Sequence, residues 1–135
     1  MKKYIAILLL VVGFGLTATA QRATTLALAA GDTAVNTGTS TKQLPILTTG
    51  YAGAAIQVTL TRNSGAAGGS LVIQGSNDGT SWGTIGSAFT PTDVASQTAI
   101  FQVTAPVPVY LRTLLTGTGT MSVTQTVKYV YRKHD

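Results

Sequence analysis

From residue 44 to residue 132 the chain is divided into short β-prone runs by turn residues every eight to fifteen positions. That rhythm constrains the fold more than any other feature, because regularly spaced short strands with turn signals between them are what a β-sandwich requires. The runs cover 44–48, 55–62, 70–76, 81–85, 97–105, 109–116 and 121–132. Within them the side chains alternate. Ile56, Val58 and Leu60 point one way while Gln57, Thr59 and Thr61 point the other, so one face of each strand is core and the other is solvated. The last run repeats the design with Val123, Val127, Tyr129 and Tyr131 on one side, interrupted by Gln125. The spacing predicts an all-β protein, a single antiparallel sandwich of about seven to eight strands with jelly-roll or immunoglobulin-like topology.

Between the runs lie residues suited to turns. Residues 63–69 form a Gly/Ala-rich loop, Asn77, Asp78 and Gly79 a tight hairpin, and Thr alternates with Gly over 116–120. Glycine there supplies a positive φ without steric cost. Pro106 and Pro108 bracket Val107 and remove two amide donors, which predicts a bend or a sheet-edge start rather than a central strand at that point. Residues 21–42 carry Thr, Ala, Gly and Ser around a single apolar cluster at Leu26 and Leu28, and read mostly as a flexible N-terminal arm, with a first strand at that cluster as the alternative. Such an arm can also pair with a neighbouring subunit's sheet edge. The sandwich domain is accordingly placed at 43–135.

The first 20 residues have the three parts of a secretory signal: Lys2 and Lys3, an apolar run from Tyr4 to Leu16, and small residues up to Ala20 before Gln21. The apolar run is short for a membrane span, which needs about 20 residues. Cleavage after Ala20 is expected, leaving 115 of the 135 residues. The competing reading is a signal anchor over residues 4–20, with membrane attachment only if the leader is retained. No cysteine follows the apolar run, which excludes a lipoprotein anchor. The leader's ending, Thr17-Ala18-Thr19-Ala20-Gln21, resembles those of Bacteroidota secreted proteins, and the expected location is exported: extracellular, cell-surface or virion-surface.

Ionisable chemistry is thin. The carboxylates are Asp32, Asp78, Asp93 and Asp135, the one histidine is His134, and glutamate and cysteine are absent. A Ser/His/Asp triad would have to recruit His134, one residue from the end of the chain, and no Gly-x-Ser-x-Gly elbow occurs. Paired carboxylates for sugar cleavage would require Asp78 and Asp93 to meet. No phosphate loop, dinucleotide fingerprint or metal-ligand cluster is visible, so the reading is a non-enzyme with no catalytic residues, no metal site and no cofactor. The net charge of +5 includes Lys2 and Lys3; without them seven cations face four carboxylates, +3. Three of those cations, Lys128, Arg132 and Lys133, crowd the last eight residues, where they read as a solvated strand end rather than a phosphate or lipid contact. Aromatic residues are too few for a nucleic-acid stacking platform, so no specific nucleic-acid partner is expected.

The most distinctive stretch is 71–85, which reads strand, turn, strand. Asp78 is placed to accept hydrogen bonds from the amides that follow it, Gly79 takes the left-handed position, and Trp82 starts the return strand as a large apolar plug. The plain reading is a well-made hairpin with a core tryptophan. The functional one is a sugar ring stacked on Trp82, with Tyr110 or Tyr51 as further stacking residues, or calcium held by Asp78; calcium wants six to eight oxygens, and a single carboxylate sits there. Arg112 reads either as a face residue lying over apolar surface or as a group that pairs with an acidic neighbour across a strand or reaches a partner. The candidate binding residues are thus Trp82, Asp78, Tyr110 and Arg112.

The run from Gln74 to Trp82, followed by Tyr110-Leu111-Arg112, by Thr and Gly alternating over 116–120, and by a Thr/Val strand from Val123, resembles a group of small phage virion proteins of β-sandwich type. Residues 72–85 also resemble the strand-turn-strand element of discoidin-like domains. The virion resemblance covers about the last 65 residues. It implies a structural subunit of an extracellular or virion assembly, with homo-oligomers or other structural proteins as partners. The secretory leader departs from that group. The alternative is a secreted carbohydrate-binding or adhesion module.

Overall fold

A computed structural model describes residues 26–27, 32–45 and 51–133. The leader and most of the segment after it, residues 46–50 and the last two residues lie outside these, and the expectations placed on them are not addressed by the structure. The described chain is all-β. Its strands are β1 (Leu26–Ala27), β2 (Asp32–Val35), β3 (Thr39–Gln43), β4 (Tyr51–Gly65), β5 (Ser70–Ser76), β6 (Gly83–Phe89), β7 (Ser96–Thr104), β8 (Tyr110–Thr116) and β9 (Met121–Lys133). Among the described residues there is no helix long and apolar enough to cross a membrane.

The pairing is nested: β2 with β9, β3 with β8, β4 with β7 and β5 with β6, all antiparallel. β4 also pairs β9, and β5 pairs β8. One sheet therefore runs in the order β1 and β2 on the outside of β9, then β4, then β7; the other runs β3-β8-β5-β6. A long hairpin rolled so that its successive pairs fall alternately into two sheets is a jelly roll, which resolves the choice the strand spacing left open.

The alternation expected from the sequence places the core. Ile56, Val58 and Leu60 of β4, with Val123 and Val127 of the neighbouring β9, face Leu71 and Ile73 of β5 and Leu111 and Leu115 of β8 across the sandwich, and none of these is more than 1% exposed. Each is worth about 1.5–3 kcal/mol over leaving it in water. β4 is longer than the expected run because register shifts at 51/53 and 62/64 absorb its ends. Gly65 closes it with φ +69, where any side chain would run into the Thr120 carbonyl.

One expectation is corrected. Residues 32–42, read as part of the flexible arm, lie in β2, β3 and the turn between them, one strand in each sheet. Their inward side chains are Ala34 and Ser40, too small and too polar to register as an apolar period, yet 1% and 2% exposed. The cationic C-terminal run is solvated, as expected, at the end of β9, an interior strand flanked by β4 on one side and β1 and β2 on the other. Its charges face outward at Lys128 and Arg132 while Val127 and Tyr129 are buried. The prolines behave as expected locally and lie in the β7–β8 connection, although β8 beyond them is an interior strand.

Gln125, which breaks the apolar face of β9, is fully buried and joins the two sheets. Its Oε1 accepts from Thr113 Oγ1 of β8 at 2.7 Å and its Nε2 donates to Ser40 Oγ of β3 at 2.6 Å. Every polar side-chain atom of this cluster is satisfied, as a buried group must be to avoid the full cost of desolvation. Replacing Gln125 with Leu alone removes the amide from Ser40 Oγ and leaves Thr113 Oγ1 only a long bond of 3.5 Å to the Lys42 carbonyl, and is expected to lower unfolding free energy by about 1–3 kcal/mol. The triple change Ser40→Ala, Thr113→Val and Gln125→Leu is expected to recover most of that loss in urea unfolding, since no polar group is then left unpaired.

Candidate functional site

The loop between β5 and β6 is built around one carboxylate. Asp78 Oδ1 accepts from the backbone N–H of Thr80 at 2.8 Å, from that of Ser81 at 2.7 Å and from the Ser76 hydroxyl at 2.8 Å. The Gly79 N–H in turn donates to Ser76 Oγ at 2.9 Å. Gly79 sits at φ +74, the left-handed position expected of it, with its α-carbon side turned to the ring of Tyr110. Asn77 Oδ1 accepts from the Val109 N–H at 3.3 Å and ties the loop to the start of β8. With three donors on one oxygen, the amides of Ser81 and Thr80 foremost, Asp78 is held well below the usual carboxylate range.

β5 and β8 are neighbours in register, with Gln74 opposite Arg112 and Ser76 opposite Tyr110. Arg112 Nε donates to Gln74 Oε1 at 2.8 Å. The guanidinium lies over Trp82, 4.0 Å from the ring centroid, a cation–π contact. Trp82 is therefore not the core plug suggested by its hydrophobicity: it stands just ahead of β6, half-buried, with Arg112 against one face. Arg112 pairs across a strand, as one of its two readings had it, but with an amide rather than a carboxylate.

The four candidate residues thus fall on one corner of the β3-β8-β5-β6 sheet, where sequence positions 74–82 and 110–112 meet. A shallow depression of about 340 Å³ beside them is lined by residues of the loop, among them Asp78 and Ser81, and by Pro108. Gln74 is the member that the sequence did not single out; its place two residues before Ser76, on the outward face of β5, is the signal that would have found it. Tyr51 lies elsewhere, its ring 5.1 Å from that of Tyr131, which in turn is 5.0 Å from Tyr129.

Asp93, the second carboxylate of the weighed pair, belongs to another part of the molecule. It accepts from Arg62 Nη1 at 2.6 Å and from the Ala67 N–H at 2.9 Å, and both bonds hold it below its ordinary range, the amide first. Each carboxylate is bonded into its own loop. Among the described residues no three of His, Cys, Asp or Glu cluster closely enough to hold a metal ion.

Neither a protein-family model nor a curated relative matches the chain. Solved structures do. The PBSX exported protein XepA superposes with a TM-score of 0.60 at 11% identity over 83% of this chain. The CBM22-1-GH10 modules of xylanase 10B from Clostridium thermocellum, complexed with xylohexaose, give 0.53 at 12% identity over 84%. This chain spans 38% of the first and 25% of the second. At these identities the likeness is one of fold, and at that level both resemblances drawn from the hairpin hold.

The two carboxylates give a pH dependence of definite sign. Their folded-state values are depressed, so the stability they contribute is complete above the ordinary aspartate value near 3.9 and is lost as the pH falls from there through the folded-state values. Asp78→Asn is expected to be less stable than the parent at neutral pH and to lose less on acidification, and the double change with Asp93→Asn less still. Thermal melts from pH 7 to pH 2 read this directly.

Proposed function

We propose that this chain is a non-enzymatic structural subunit of an extracellular or virion-surface assembly, exported by its N-terminal leader. The observation that carries the reading is an uncovered apolar seam on a hydroxyl-rich surface. Between the edge strands β6 and β7 the two sheets leave a groove of about 490 Å³, walled by Ile85, Phe89, Phe101 and Val103, with Ile100 beside it 66% exposed. Side chains of that kind at a sheet edge serve contact with another protein surface better than contact with water. The outward positions of β4 and β9, by contrast, carry Thr59, Thr61, Thr124 and Thr126.

The expected binding corner supports the same choice. The Tyr110 ring lies under Gly79, one face of Trp82 lies under Arg112, and Asp78 Oδ1 and Gln74 Oε1 are engaged within the fold. These groups stiffen a loop that a subunit surface needs fixed. The similarity to an exported protein fits export, and the fold alone selects no function. The protein, expressed with its leader and purified in the form the host delivers, is expected to form symmetric oligomers or polymers in sedimentation and electron microscopy. A strictly monomeric species at every accessible concentration overturns the reading.

The second reading, a carbohydrate-binding module, rests on Trp82, half-buried and next in sequence to Ser81, which lines the shallow depression with Asp78. The similarity to xylanase modules complexed with xylohexaose favours testing it. On a glycan array this reading expects binding that Trp82→Ala abolishes; no binding, or binding that survives the substitution, removes Trp82 as a sugar platform.

A further inference from the structure

Sheet edges are the places where one β-protein can join another, and natural proteins guard the edges that are not meant to pair. Three of the four edges here are guarded. β1 and β2 cover β9 in two pieces of two and four residues. β3 is five residues long and carries Lys42. β6 contains Gly83 and Gly86, the latter at φ +71, and its pairing with β5 shifts register between Leu71 and Ile73. β7 has none of these devices. It is nine residues, Ser96–Thr104, without proline, glycine or charge, and pairs β4 over nine consecutive positions without a bulge. Among the described residues no strand lies on its outer side.

We infer that β7 pairs with β7 of a second copy, antiparallel and about a two-fold axis at Ile100, so that the β1/β2-β9-β4-β7 sheets of the two copies run on as one. This rests on the assembly reading above and gives it its contact.

The choice of a second copy comes from the strand's own pattern. In an antiparallel self-pair centred on Ile100, Ile100 meets its twin on the outer face, flanked by Thr98 against Gln102 and Ser96 against Thr104. On the inner face Ala99, 7% exposed, comes opposite Phe101, which is only partly buried. Small thus meets large twice, once on each side of the axis. Ala99 and Phe101 both border the groove between β6 and β7, so the partner's ring is delivered to the groove that this chain leaves uncovered, and the exchange is reciprocal. Charge favours the same edge. Without the leader's Lys2 and Lys3 the chain is net +3, so most approaches of two copies oppose like charges, whereas β7 brings none, and Arg62 is paired with Asp93.

The test is sedimentation of the protein, expressed with its leader and purified as the host delivers it, across a concentration series, with Ile100→Lys and Ile100→Glu. Because Ile100 is 66% exposed, both variants are expected to keep the parent's circular dichroism and melting behaviour. Each alone sets like charges face to face on the axis and is expected to weaken dimerisation by about 100-fold or more. An equimolar mixture of the two is expected to restore it, since Lys then faces Glu, and amide hydrogen exchange in β7 is expected to slow again on mixing. Oligomers of the parent that neither variant weakens overturn the β7 contact and leave the assembly reading standing. Weakening without rescue on mixing overturns the two-fold at Ile100. A parent that is monomeric throughout overturns both.

Discussion

The ladder between β4 and β9 is the constraint from which the rest of the molecule is arranged. These are the two longest strands, thirteen residue pairs are in register between them, and they occupy the middle of one sheet. β9 also receives β1 and β2 on its other side and sends Gln125 through the core to the opposite sheet. With no cysteine in the chain, nothing covalent holds the ends together. The C-terminal strand is retained by hydrogen bonds to residues some seventy positions earlier. Long-range pairing of this kind has to close large loops before it is rewarded, so the fold depends on one apolar pattern being kept in phase over two distant segments.

The buried amide shows how that phase is fixed. A sandwich with uniformly apolar inner faces tolerates small slides of one sheet over the other, because apolar contact is not directional. Gln125 is directional. Its two ends reach Thr113 and Ser40 in the facing sheet, and a slide would leave three buried polar groups without partners. The same logic governs the loop at Asp78, where one oxygen organises three donors, and the loop at Asp93, where a carboxylate joins Arg62 and Ala67. The few carboxylates of this chain are used to set loop geometry.

That economy bears on function. A site for catalysis needs titratable groups left unsatisfied by the fold and aimed at a common point. The described carboxylates Asp78 and Asp93 each commit Oδ1 to bonds within the fold, and Trp82 and Tyr110 are each covered on one side by Arg112 and Gly79. What is left outward is a surface of hydroxyls and one seam of aliphatic and aromatic side chains between β6 and β7.

The sequence by itself determined the strands from β4 onward, the inward faces of β4 and β9, the left-handed glycine of the β5–β6 loop and the scarcity of reactive groups. Each of these is local, set by a period of two or by the conformational freedom of a single residue. Only the tertiary structure decided the nested pairing, the place of β2 and β3, and the burial of Gln125. The inward residues of β2 and β3 are Ala34 and Ser40, which carry no apolar signal and acquire their meaning from side chains some ninety positions away. The candidate site divides in the same manner. The Asp78 turn could be read from neighbouring residues, whereas the stacking of Arg112 on Trp82 and its bond to Gln74 depend on β5 and β8 lying side by side, and strand order is not encoded in either segment alone.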